Sequence, residues 1–292
     1  MGRVPGVSHC MNDPGATSPV IAAMADDAVQ RFGGIERLYG RGALERLAAA
    51  HVCVIGLGGV GSWTVEALAR SGVGALTLVD LDDLCVTNVN RQIHALDCTI
   101  GRPKAEVLAE RVRAIHPACR VAARVEFFAD SSADRILGAA RYDYVVDAID
   151  SLKNKLLAIS RCRVAGVPVV TVGGAGGRSD PTLVRVDDLA FSERDPLLRY
   201  VRKRLRERHA FSRDVSQPWG VPCVFSLEYP IYPQSDGTVD VEREPECEAA
   251  INCATGVGTA SFVTGTFGFA AAGIVVRALA TAAVPGRASP NS

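Results

Sequence analysis

The stretch His51-Val-Cys-Val-Ile-Gly-Leu-Gly-Gly-Val-Gly-Ser62 decides the fold. Its first half, His51 to Ile55, is a short apolar run of the kind that fills a buried parallel strand. Gly56, Gly58 and Gly61 come next at G-x-G-x-x-G spacing, with Gly59 between them. The first glycine permits a tight turn, the second lets a phosphate approach the backbone, and the third lets helix and strand pack closely. Trp63 to Arg70 then carries a helical pattern that stops at Ser71-Gly72, and Ala75-Leu-Thr-Leu-Val-Asp80 reads as the next strand. Strand, glycine turn, helix and strand make a βαβ unit, whose crossover is nearly always right-handed.

The alternation continues outward. Lys104 to Ile115 reads as a helix, Arg120 to Val125 and Tyr142 to Asp147 as strands, Lys153 to Ala165 as a helix and Val167 to Gly173 as a strand. The second half holds a basic helix from Pro196 to Arg208, short strands and an apolar terminal helix. The fold class is therefore α/β: a Rossmann-like, doubly wound, mostly parallel sheet with an added second-half substrate region. Residues 1–26 and 285–292 lack periodicity and read as disordered tails. Between them, 27–284 form one continuous domain, with a nucleotide half at about 45–175 and a substrate half at about 176–284.

Composition narrows the function classes. Among 292 residues, Lys+Arg and Asp+Glu stand at 32 each, so any surface for nucleic acid must be local rather than chain-wide. The nine cysteines form no Cys-x-x-Cys pair, and no secretory signal opens the chain, which points to reduced thiols in a cytoplasmic protein. Ala249 to Val276 has no charged residue, and Gly256 to Val276 is long enough to span a bilayer. Its Gly, Ala and Thr content favours a packed core helix, with no stable membrane association.

The turn glycines and Asp80, an acid placed to accept from ribose hydroxyls, would serve an NAD enzyme equally well. The next segments discriminate better: Asp80-Leu-Asp82-Asp83, then Asn88-Val-Asn90-Arg91-Gln92, then Gly101-Arg102-Pro103-Lys104. A nucleoside triphosphate that must lose pyrophosphate needs cations at its phosphates and a magnesium ion held by a carboxylate. Arg91 and Lys104 suit the first task. Asp150, in Asp147-Ala-Ile-Asp150 at the end of a buried strand, suits the second.

Together these segments resemble the ubiquitin-activating-like adenylating enzymes (the ThiF, MoeB and HesA kind). That family's pattern is Gly-x-Gly-Gly-x-Gly, Asp-x-Asp, Asn-x-x-Arg-Gln, Pro-Lys and a later Asp. It falls here on Gly56, Gly58, Gly59 and Gly61, Asp80 and Asp82, Asn88 with Arg91 and Gln92, Lys104, and Asp150. The resemblance implies ATP and Mg2+ as cofactors, attack of a carboxylate on the α-phosphate, and catalytic roles for Arg91, Lys104 and Asp150. It also implies a homodimer in which an N-terminal arginine, Arg31 or Arg37, reaches the partner's nucleotide.

One branch is matched further, the bacterial tRNA threonylcarbamoyladenosine dehydratases. Its signatures are similar to Arg31-Phe-Gly-Gly34, Leu38-Tyr-Gly40, Asn90-Arg-Gln-Ile-His-Ala95, Thr171-Val-Gly-Gly-Ala-Gly-Gly177, Cys223-Val-Phe-Ser226, Tyr232-Pro-Gln-Ser-Asp-Gly-Thr238 and Thr266-Phe-Gly-Phe269. This resemblance implies an ATP-dependent, cyclase-type reaction on tRNA next to the anticodon. The threonyl carboxylate is adenylated, the neighbouring carbamoyl group attacks, AMP leaves, and one water is lost. A cysteine desulfurase or sulfur-acceptor system is a further partner to consider.

Two features have readings of their own. On a helix, Arg199, Arg202, Lys203, Arg204 and Arg206 could meet an RNA phosphate backbone while Tyr200 stacks on a base; a solvated helix face is the plainer alternative. Cys223 could accept an acyl group as a thioester if its thiolate were exposed and favoured, or serve as a small buried apolar residue. The competing functions are an activator of a ubiquitin-like sulfur-carrier protein, an NAD-dependent oxidoreductase and a non-catalytic scaffold. The first would normally show zinc cysteines. The oxidoreductase leaves Arg91, Gln92, Lys104 and Asp150 unexplained, and the scaffold needs none of the nucleotide residues.

Overall fold

In a computed structural model, the backbone is described for residues 19–244 and 257–281, and side chains from residue 27 onward within those limits. Two helices, α1 (Pro19–Tyr39) and α2 (Ala43–Ala49), lead into the central sheet. The alternating unit then runs β1 (His51–Ile55), α3 (Gly59–Arg70), β2 (Ala75–Val79), α4 (Lys104–Ile115), β3 (Arg120–Arg124), α5 (Asp130–Leu137), β4 (Tyr144–Asp147), α6 (Leu152–Ala165) and β5 (Val169–Val172). The second half adds β6 (Val184–Asp188), α7 (Pro196–Arg208), β7 (Pro222–Ser226), a small hairpin of β8 (Tyr232–Pro233) and β9 (Val239–Asp240), and α8 (Ser261–Ala280).

The main sheet has the order β3-β2-β1-β4-β5-β7-β6. All neighbours are parallel except the edge pair β6 and β7. The chain leaves β1 towards β2 and β3 and returns on the other side at β4. A crevice therefore opens at the carboxyl ends of β1 and β4, where ligands bind in such sheets.

Helices cover both faces. One core joins α2, α3, α4 and α8, and the other joins α5, α6 and α7. The apolar C-terminal stretch is the innermost helix of the first core: Val263, Phe267, Ala271 and Val275 of α8 are fully buried. Small residues let it approach α3 closely. A Cβ added at Gly268 would stand 2.6 Å from the Val60 carbonyl oxygen, and Thr64 Oγ1 donates to the Gly268 carbonyl at 3.1 Å. Among the described residues α8 alone is long and apolar enough to cross a membrane, and 56% of that span is buried inside the fold.

The structure departs from the sequence reading at the N-terminal end. Helix α1 begins at Pro19, inside the segment assigned to a tail of residues 1–26. Proline suits a first helical turn because its missing N–H is not needed there. Residues 1–18, the greater part of the first assigned tail, and 282–292, which include the whole of the second, lie outside the described residues, as does the 249–256 portion of the uncharged stretch.

Candidate nucleotide-binding site

The crevice is built around the glycine turn. Gly56 has φ +88°, and a Cβ there would stand 2.8 Å from the Ala148 carbonyl oxygen at the end of β4. At Gly61 the same atom would lie 1.8 Å from the Gly56 carbonyl oxygen. Only glycine fits either position. At Gly58 the nearest atom is the Gln92 side-chain nitrogen at 3.9 Å, which leaves the backbone open to an incoming phosphate. The first turn of α3 lies behind it with its N–H groups and positive dipole end.

Asp80 sits just past β2 beside the turn. Its Oδ2 accepts from the Leu57 N–H at 2.6 Å and its Oδ1 from the Asp82 N–H at 2.9 Å. Burial raises its pKa, opposed by nearby Lys104 and by these two hydrogen bonds. The carboxylate thus braces the turn as well as lining the crevice. Lys104 opens α4 with its stem buried, and its ammonium donates to exposed Asp82 Oδ2 at 2.8 Å. An ammonium carries three protons, so two stay available for a phosphate.

Arg91 is held by its backbone: the Trp63 indole N–H donates to its carbonyl at 3.0 Å, and Thr264 Oγ1 of α8 does so at 3.3 Å. Its guanidinium donates to the Thr87 carbonyl and, at 3.0 Å, to Asn90 Oδ1. Asn88 is buried, and its Oδ1 caps the Cys85 N–H at 3.0 Å. Buried Gln92 keeps its Oε1 without a partner among the described residues. Asp150 is exposed between β4 and α6 and has neither hydrogen bond nor ion pair within the described structure.

The structure therefore brings the glycine turn, Asp80, Asp82, Arg91, Gln92, Lys104 and Asp150 to one edge of the sheet. These residues fit a magnesium nucleotide. Magnesium is usually held by one or two carboxylates together with the phosphates themselves, and Asp150 offers an unengaged carboxylate there. No cluster of three or more His, Cys, Asp or Glu side chains able to hold a metal by itself occurs among the described residues.

The sequence reading missed two buried pairs. Asp147 Oδ2 takes hydrogen bonds from Lys155 Nζ at 2.9 Å and Thr171 Oγ1 at 2.6 Å, fully buried beneath the crevice. The Asp147-Ala-Ile-Asp150 motif contains both acids, but only the pleat turns the first inward and leaves the second free. Arg178, after the glycine-rich loop 173–177, pairs with Asp195 Oδ2 at 3.3 Å, both buried. Asp195 before Pro196 is legible as a helix cap, though its buried partner is not.

Cys223 lies fully buried on β7, in register with Thr171. Burial raises its thiol well above the ordinary range, with Lys155 as the largest opposing influence. An attacking thiolate needs the reverse, so the nucleophile reading gives way to the packing one.

On the basic helix α7, Arg199 and Lys203 are exposed, with Arg199 over the Tyr200 ring at 5.3 Å. Arg204 pairs with Glu207 at 2.9 Å, and Arg206 lies 5.0 Å over the Trp219 ring. Arg202 turns inward to Ser192 Oγ, and burial lowers its pKa. A surface hollow of about 350 Å³ is lined by Lys203, Arg206, Glu207 and Arg213. The exposed cations of α7 are thus Arg199, Lys203 and Arg208, beside exposed Glu207, with Arg204 and Arg206 half-buried.

A glycine turn, paired cations and a free carboxylate at the switch point of a parallel sheet define a nucleotide-using member of the doubly wound class. More narrowly, the chain belongs to the ThiF family, whose model matches residues 34–288. It is 51% identical over 243 residues to the tRNA threonylcarbamoyladenosine dehydratase of Escherichia coli, covering 83% of this chain and 90% of that protein. The solved structure of the E. coli tRNA N6-threonylcarbamoyladenosine dehydratase in complex with ATP superimposes with a TM-score of 0.76 at 44% identity, over 88% of this chain and 96% of that one. The sulfur carrier protein adenylyltransferase of Thermus thermophilus is 36% identical over 126 residues, covering 43% of this chain and 46% of that protein.

Proposed function

We propose that this chain catalyses the ATP-dependent dehydration of threonylcarbamoyladenosine in tRNA. The observation that carries this reading is the likeness to the dehydratases over most of both chains, including one solved with ATP. The sulfur-carrier enzyme is matched over less than half of either chain, which weighs against the runner-up.

In this reading the open backbone at Gly58 and the first turn of α3 receive the phosphates, and Asp80 receives the ribose while bracing the turn. Arg91 and Lys104 stabilise charge as pyrophosphate leaves. Asp150 would hold Mg2+, which neutralises the phosphates. The threonyl carboxylate attacks the α-phosphate and becomes an acyl adenylate. The carbamoyl group of the same nucleoside then attacks the acyl carbon, AMP departs, and the product has lost one water. Ring closure within the substrate needs no enzyme nucleophile, consistent with the buried Cys223.

The assignment divides the chain: about 45–175 hold the nucleotide, and about 176–284 present the RNA, with Arg199, Lys203, Arg204 and Arg206 of α7 at the phosphate backbone. The working unit is a cytoplasmic homodimer. Arg31 is paired with Asp27 at 2.7 Å, whereas Arg37 is exposed and makes no hydrogen bond or ion pair among the described residues, so Arg37 is the arginine left to reach a partner's nucleotide. A sulfur-acceptor system is a secondary partner that the fold leaves room to test.

The deciding experiment is mass spectrometry of nucleosides from tRNA bearing threonylcarbamoyladenosine, incubated with the protein, ATP and Mg2+. An ATP-dependent loss of one water supports the reading. No loss, with pyrophosphate exchange driven instead by a carrier protein ending in Gly-Gly, would replace it with the sulfur-carrier reading.

A further inference from the structure

One carboxylate joins the basic helix to the crevice. Asp195 Oδ1 accepts from the Leu198 N–H at 2.9 Å and caps α7, while Oδ2 accepts from the Gly174 N–H at 2.9 Å and from Arg178 at 3.3 Å. Arg178 in turn donates to the carbonyls of Gly174 and, at 3.0 Å, Gly176. The fit leaves no slack. A Cβ at Gly173 would stand 2.3 Å from Asp195 Oδ2.

The loop clamped in this way reaches the segment that precedes α8. The Gly177 N–H donates to the Gly258 carbonyl at 2.7 Å, in the segment that leads into α8. The next residue, Thr259, offers its carbonyl to Asn90 Nδ2 at 2.9 Å, and Asn90 Oδ1 accepts from the Arg91 guanidinium at 3.0 Å. The cap of α7 and the arginine of the nucleotide site are thus linked by hydrogen bonds joined through two single-residue backbone steps, Gly176 to Gly177 and Gly258 to Thr259.

We propose that Asp195 is a positioning residue that couples RNA engagement on α7 to the placement of Arg91, with Asn90 as the last link. This rests on the dehydratase reading. RNA that draws on Arg199 and Lys203 shifts the start of α7. Asp195 passes that shift to the 173–178 loop, and Asn90 passes it to the guanidinium. The arginine is then best placed for the leaving pyrophosphate when RNA is present, and ATP is spared when it is absent.

The test is a double-mutant cycle on the full chain, read as kcat/KM for dehydration of modified tRNA. Arg199→Ala and Asn90→Ala are combined in the parent and again in an Asp195→Asn background. In the parent, the double variant should depart by about threefold or more from the product of the single effects, as coupled positions do. In the Asp195→Asn background the effects should simply multiply. A purely structural Asp195 would lower Tm and overall rate yet leave the coupling ratio intact, which would overturn the proposal, as would simple multiplication in the parent. If Asp195→Asn does not fold, Arg178→Lys takes its place, since it keeps the charge and loses the fork to Gly174 and Gly176. Failure of the dehydratase reading shows separately, as a parent protein that leaves the nucleoside unchanged and takes this proposal with it.

Discussion

A Cβ at Gly61 would stand 1.8 Å from the Gly56 carbonyl oxygen, so the turn cannot keep its shape around any side chain. Gly61→Ala should lower ATP affinity by about 10-fold or more, because phosphate-facing N–H groups act only when preorganised. Isothermal titration with ATP and Mg2+ checks this, and unchanged affinity would remove the turn from the site. His94 makes a second case. It is buried, with both ring nitrogens unpartnered among the described residues, and burial, with Lys104 and Arg111 nearby, pushes its pKa down to about 3. Burial lowers His51 and His116 as well. His94 therefore stays neutral in the fold down to about pH 3, while in the unfolded chain it protonates near 6.5, and the other two rings add to the effect in the same direction. Between about pH 3 and 6.5 the unfolded state binds more protons, so this stability is complete above about 6.5 and is lost as pH falls towards 3. Urea unfolding at pH 7.5 and 5.0 should show the loss, and His94→Gln should make the difference smaller.

At the scale of elements, α3 and α8 form the pair on which the crevice is mounted. Thr264 of α8 and Trp63 of α3 both hold the Arg91 carbonyl, so the spacing of the two helices sets the arginine. Gly268→Val would drive a side chain into the α3 backbone and should cost about 1–3 kcal/mol as overpacking. Activity should fall by more than the folded fraction does. Thermal unfolding and pyrophosphate exchange on the same preparation check both parts. A drop in Tm with full exchange by the folded fraction would mean that α8 supports the fold but not the site. The helix was legible as an apolar run, and its glycine, alanine and threonine content already favoured a core helix over a membrane span, without naming the partner it packs against. That partner is α3. Helix α5 escaped the sequence reading because its buried side is only Ser132, Ala133 and Ile136, too short and polar for a clear period.

At the scale of the molecule, charge and symmetry carry the predictions. If α7 meets RNA phosphates, Arg199→Ala with Lys203→Ala should reduce the slope of log K against log salt by roughly 1–2. A parallel loss at all salt concentrations would instead mean a change of fold. If Arg37 acts across a dimer, mixing inactive Arg37→Ala and Asp150→Ala proteins should restore roughly a quarter of parental turnover, since half the dimers then hold one complete site. No recovery on mixing would place Arg37 outside the partner's site.

The sequence alone settled which local segments meet at the crevice. The positions there of the glycine turn, the Asp80 to Lys104 series and Asp150 were legible because a βαβ unit is built from local segments whose order the right-handed crossover dictates. The strand alternation gave the parallel sheet for the same reason. Only the tertiary structure decided which acid of Asp147-Ala-Ile-Asp150 turns inward to Lys155, that Cys223 is sealed in the core, that Arg202 faces Ser192, and that Arg178 and Asp195 meet. Each of these depends on which face of an element is covered by another distant in the chain. Burial and long-range pairing set those outcomes, and no spacing within one segment encodes them.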